Sequence, residues 1–115
     1  MMMPKRGEIW LVRFPFTDLR SSKLRPALVW AIHREDVILV GLFSRIPAGP
    51  KRKTWIVIEE QDSDFHRTNL KKTSLIRAEK IAVVHKSVFR KKLGKLPLGL
   101  IEEVEKALKR ALMIK

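Results

Sequence analysis

The chain has no cysteine. That excludes a disulfide framework, a thiol nucleophile and a cysteine-bound metal. Long apolar runs are missing as well, and none approaches the roughly 20 residues that span a bilayer. Residues 1–8 (MMMPKRGE) lack the apolar stretch and cleavage site of a signal peptide, so a cytoplasmic protein is expected. Labile amides are nearly absent, with one Asn (Asn69) and one Gln (Gln61). Beside 32% charged residues, that scarcity fits a protein from a hot environment. Acids are also few: 12 Asp+Glu stand against 25 Lys+Arg, a formal charge of +13. Such a field makes a polyanion the natural partner, either nucleic acid or an acidic protein segment. A membrane surface fits less well, because no helix pairs a basic face with an aromatic one.

What is present is enough for one domain over residues 1–115, with 45% apolar residues to build a modest core. Residues 8–14 alternate loosely and read as a first strand. Residues 27–32 form a continuous apolar run, the signature of a strand buried on both faces. Between them lies a polar loop ending in Lys23-Leu24-Arg25-Pro26. Pro26 suits a first strand residue or an edge. Arg25 then stands at a strand mouth beside a basic loop, a place suited to gripping a phosphate.

Residues 37–43 predict a third strand, reached through the short charged hairpin His33-Arg34-Glu35-Asp36. Residues 45–53 (RIPAGPKRK) read as an exposed basic loop, and residues 54–58 as a fourth strand. Residues 59–64 hold four of the twelve acids and suit a loop or short turn capped by Asp62 or Ser63. Asn69 is a candidate for the left-handed conformation. Residues 74–77 and 80–84 look like the last two strands, bent between Ala78 and Glu79. Residues 86–95 suggest a helical turn ending at Gly94.

Over residues 98–113, Leu100, Ile101, Val104, Leu108, Ala111 and Leu112 recur at spacings of three and four. This predicts an amphipathic helix, with Glu102, Glu103 and Glu105 near its start and Lys109 and Arg110 near its end. The expected fold is mainly β, a small curled antiparallel barrel or sheet with a C-terminal helix. Pattern alone does not separate an SH3-like barrel from an OB-like one.

The candidate binding residues follow from charge. Arg20, Lys23, Arg45, Lys51, Arg52 and Lys53 lie in the two basic loops and would track a phosphate backbone. Trp55 offers a ring on which a base can stack, worth about 1–3 kcal/mol; packing in the core is the other reading, favoured for Trp10 and Trp30. Arg77 and Glu79 are two apart on a strand, so guanidinium and carboxylate share a face. They form a catalytic pair or an ordinary surface ion pair. His33, His66 and His85 show no metal-ligand spacing, so no metal or cofactor is expected.

Three blocks carry a family resemblance: Gly7-Glu8-Ile9-Trp10, Phe14-Pro15-Phe16-Thr17-Asp18-Leu19, and Lys23-Leu24-Arg25-Pro26-Ala27-Leu28-Val29. Residues 74–80 (SLIRAEK) and Lys92-Leu93-Gly94 continue it over nearly the whole chain. The sequence resembles the MazF/PemK toxins. The resemblance implies an SH3-like barrel, a homodimer, metal-independent cleavage of single-stranded RNA, and neutralisation by an acidic antitoxin. It implies that Arg25 stabilises the phosphate, and that Arg77 and Glu79 act as stabiliser and base. One departure stands out. Where many such sequences carry a Thr-Ser pair after a hydrophobic strand, this chain has Phe43-Ser44, leaving Ser44 as the surviving hydroxyl. Phenylalanine moves no proton, so the alternative is a nucleic-acid-binding barrel without catalysis.

Overall fold

The structure is a computed structural model and describes residues 3–13 and 23–115. Chain order is β1 (Glu8–Val12), β2 (Arg25–His33), β3 (Asp36–Phe43), β4 (Trp55–Ile58), a 3-10 turn (Phe65–Thr68), β5 (Ser74–His85), a second 3-10 turn (Lys86–Val88), β6 (Phe89–Lys95) and α1 (Leu98–Ala111). The strands form one antiparallel six-stranded sheet in the order β4-β5-β3-β2-β1-β6. It is barrel-like in its bending, yet β4 and β6 remain as two edges. The expected mainly β fold with a terminal helix is what the chain adopts.

Both faces of the middle strands are covered, which explains the unbroken apolar run in β2. Leu28 packs with Ile9, Val40, Ile76 and the α1 residues Val104, Ala107 and Leu108. Its neighbours Ala27 and Val29 turn the other way, onto Trp10, Val12, Leu39 and Phe89. Burial of each such Val or Leu side chain is worth about 1.5–3 kcal/mol, so this double-sided strand anchors the fold. Arg25 opens β2, and Pro26 pairs with Leu11 of β1 just before the ladder to β3 begins at Ala27. Its missing N–H is therefore harmless there.

Three local expectations are corrected. Residues 74–84 are one strand, not two: β5 pairs with β3 through Arg77 opposite Gly41 and resumes with Ile81 opposite Val40. Ala78, Glu79 and Lys80 bulge out between these pairs, and the Ala78 amide bonds instead to the Thr54 carbonyl at 2.9 Å. The sixth strand is Phe89–Lys95, where only Lys86–Val88 makes a helical turn. Gly94 does not cap that turn. It lies within β6, where a Cβ would collide with the Arg67 carbonyl oxygen and stand 2.8 Å from the Thr68 carbonyl carbon.

Of the other expectations, some hold and two do not. Asn69 is left-handed at φ 55°, and the hairpin closes with His33 opposite Asp36. Helix α1 has no acid in its first turn, so its glutamates lie beyond the reach of the N-terminal dipole; Lys109 and Arg110 do occupy the last turn. The first 3-10 turn takes no side-chain cap; the Asp62 carboxylate accepts instead from the Asp64 amide at 3.1 Å. Among the described residues no helix is long and apolar enough to cross a membrane.

Candidate functional site

A cavity of about 690 Å³ opens where β2 begins and β3 ends. Leu11, Pro26, Leu42, Leu70 and Leu93 give it an apolar lining. Its exposed polar lining comprises Arg25, Ser44, Arg45, Asn69, Lys71 and Lys72. No hydrogen bond or ion pair engages the Arg25 guanidinium among the described residues. The forked donors of a guanidinium suit it to binding an anion.

Sequence reasoning named Arg25, Ser44 and Arg45 but missed Lys71 and Lys72. The left-handed Asn69 explains their place. It turns the chain after the 3-10 turn, while its side-chain amide donates to the Leu93 carbonyl and ties this turn to β6. A basic pair just after a left-handed residue was the available signal.

Arg77 and Glu79 do not line this cavity; they lie across Phe43 from it. The Phe43 ring is shared, since it borders the cavity and also lies 5.6 Å from the Arg77 guanidinium carbon. Gly41 permits this, because a Cβ there would meet the Phe43 ring at 2.8 Å. On its other flank Arg77 lies 5.0 Å from the centre of the Trp55 ring, and β4 pairs Trp55 directly opposite Arg77.

The bulge at 78–80 brings Glu79 back to this pair. Arg77 Nε donates to Glu79 Oε2 at 2.9 Å, and Trp55 Nε1 donates to the same oxygen at 3.0 Å. Thr54 Oγ1 donates to Oε1 at 2.8 Å. Partial burial alone would raise the Glu79 carboxyl. Hydrogen bonds from Trp55 and Thr54, a backbone contribution at Glu79 and the bond from Arg77 outweigh it, lowering the group to about 2. Thr54 was not singled out by sequence; a hydroxyl one residue before a strand tryptophan carries no distinctive signal.

The remaining candidates are placed apart from the cavity. Arg52 lies over Trp55 at 5.3 Å. Lys53 and Trp55 border a second hollow of about 220 Å³ between β4 and α1, with Glu103, Lys106 and Arg110. Lys51 is exposed in the same loop, and Lys23 is exposed before β2. Arg20 and the block Phe14-Pro15-Phe16-Thr17-Asp18-Leu19 lie outside the described residues. His85 bonds to Ser87 and Glu35, and His66 to the Ser63 carbonyl. Among the described residues no three His, Asp or Glu side chains gather as a metal site.

A bent antiparallel sheet, one terminal helix and a cavity ringed by cations define a small basic β protein of barrel-like class. The chain belongs to the PemK-like, MazF-like toxin family of type II toxin–antitoxin systems, whose family model matches residues 5–112. No curated protein sequence matches it. Among solved structures it is similar to an endoribonuclease from a mycobacterial species, at 22% identity and TM-score 0.71, covering 99% of this chain and 95% of that one. It is also similar to an endoribonuclease in complex with its cognate antitoxin, again mycobacterial, at 21% identity and TM-score 0.71, covering 98% of each chain. A third is the MazE–MazF structure (Form-II) from Deinococcus radiodurans, at 16% identity and TM-score 0.73, covering 100% of both. At these identities the likeness concerns the fold.

Proposed function

We propose that this chain is a toxin that cleaves single-stranded RNA without a metal ion, works as a homodimer in the cytoplasm, and is silenced by an acidic antitoxin. The observation that carries the reading is that Arg25, Arg45, Lys71 and Lys72 line one cavity together with Ser44. Family membership and a charge of +13 support it.

The chemistry asks for little. RNA cleaves when its 2′-hydroxyl loses a proton and attacks the adjacent phosphorus in line, expelling the 5′-oxygen. A protein accelerates this by placing positive charge against the phosphorane and by positioning donors and acceptors for the two protons. Arg25 is the cation at the phosphate, and Ser44 is the hydroxyl beside it. Arg77 supplies a second positive charge across Phe43. Glu79 contributes as an anion: a carboxylate lowered to about 2, with both oxygens hydrogen-bonded, is a weak proton acceptor.

The test is incubation of purified protein with a long single-stranded RNA in EDTA, beside Arg25→Ala. Discrete cuts by the wild type, lost in the variant, support the reading. The second reading, a binding barrel without catalysis, rests on Phe43, which puts a ring where a hydroxyl would serve proton transfer. Salt-sensitive RNA binding without cleavage would favour it and sink the nuclease.

A further inference from the structure

Arg77 is held by more protein than a surface cation needs. Phe43 and Trp55 flank its guanidinium at 5.6 and 5.0 Å, and Glu79 fixes its Nε at 2.9 Å. Bonding through Nε alone leaves the other guanidinium donors, on the two terminal nitrogens, without a hydrogen bond among the described residues. Glu79 is itself fixed: Thr54 holds one oxygen and Trp55 the other, while the Ala78 amide ties the bulge to the Thr54 carbonyl. These side-chain bonds converge on the Glu79 carboxylate, which in turn accepts from the Arg77 guanidinium.

Trp55 therefore has a different task from stacking on a nucleobase. Two guanidinium groups, of Arg77 and Arg52, already lie near its ring centre at 5.0 and 5.3 Å, and its indole N–H is spent on Glu79. A base stacking on a face so occupied would have to displace an arginine. We infer that Trp55 and Thr54 are positioning residues, which fix the Glu79 carboxylate so that it holds Arg77 in one orientation toward a phosphate. The inference rests on the proposed RNA cleavage for its consequence, though not for its geometry.

Trp55→Phe keeps a ring over Arg77 and deletes the N–H; Thr54→Val deletes the hydroxyl at nearly constant volume. Thermal melts confirm that each variant folds, and either one suffices if the other does not. Three quantities are read: the Glu79 carboxyl titration by carbon NMR, the Arg77 Nε–H signal, and kcat and KM on an RNA oligonucleotide carrying a mapped cut. The positioning role expects the carboxyl to titrate at higher pH and the Arg77 signal to broaden. It expects kcat to fall about tenfold or more, with KM changed by no more than about twofold. An unmoved titration with full kcat would overturn it. So would a rise in KM alone, which is the mark of a base stacking on Trp55. If the wild type cuts no RNA, the proposed activity fails by itself, and an unmoved Glu79 titration would still overturn the positioning role.

Discussion

The guanidinium carbon of Arg77 lies 5.6 Å from the centre of the Phe43 ring, on two strands side by side in the sheet. Phe43 thereby joins two groups that the linear sequence treats separately, the cavity of Arg25 and Ser44 and the cluster of Arg77 and Glu79. Arg77 is about a quarter exposed, so the cation–π contact is only partly screened by water. Its worth is about 1 kcal/mol.

Phe43→Leu keeps apolar bulk and removes the ring. The expected loss is about 1–2 kcal/mol, read as a thermal midpoint several degrees lower. A double-mutant cycle with Arg77→Ala should return a coupling of about 1 kcal/mol. Strict additivity would mean that ring and guanidinium merely lie near each other.

Acid should weaken the fold through Glu79. Its carboxyl lies near 2 when folded against an ordinary 4.5. A lowered folded value stabilises fully above the unfolded value and is lost as pH falls from about 4.5 toward 2. The contribution at neutral pH is on the order of 2 kcal/mol, allowing for partial exposure. Glu8, held low by Trp10, Lys92 and the Lys5 amide against its own burial, acts in the same direction. Urea melts of wild type and Glu79→Gln at pH 7 and pH 3 check this. The gap between the two proteins should narrow at pH 3, and a constant gap would refute the linkage.

Lys71 and Lys72 should matter for RNA, although nothing in the family resemblance pointed to them. Each is exposed at the cavity mouth. Replacing both by Gln should leave stability within about 0.5 kcal/mol. If each neutralises one phosphate, the salt slope of single-strand binding should shrink by about 0.7 per lysine. Unchanged slopes in filter-binding titrations would place the RNA elsewhere.

Two glycines separate close packing from chain freedom. Gly94→Ala would drive a Cβ into the Arg67 carbonyl oxygen, with the Thr68 backbone just beyond and no flexible tip to yield. We expect a loss of about 3 kcal/mol or failure to fold. Gly99, in α1, is open: a Cβ added there would meet nothing within 4 Å. Gly99→Ala should therefore be neutral or stabilise by up to about 1 kcal/mol. Equal effects at the two sites, measured by thermal melts, would contradict the packing argument.

The strand that went unread is Phe89–Lys95. It carries Arg90, Lys91, Lys92 and Lys95 and lies at a sheet edge, where cations oppose pairing with other chains. That same charge erases the alternation by which strands are recognised. The split reading of β5 has a related cause. Ala78, Glu79 and Lys80 break the apolar pattern because they bulge, and a break in pattern looks the same whether a strand ends or bulges.

By itself the sequence determined the terminal helix, the buried strands β2 and β3, the tight hairpin between them and the basic surface. These follow from periodicity, turn chemistry and charge, which act between near neighbours. Arg25 at the start of β2 was legible for the same reason. Only the tertiary structure decided that Lys71 and Lys72 share a cavity mouth with Arg25 and Ser44, and that Trp55 and Thr54 hold the Glu79 carboxylate. Those meetings depend on the register in which β5 lies against β3 and β4. Register is set by packing between residues far apart in the chain, and no local pattern encodes it.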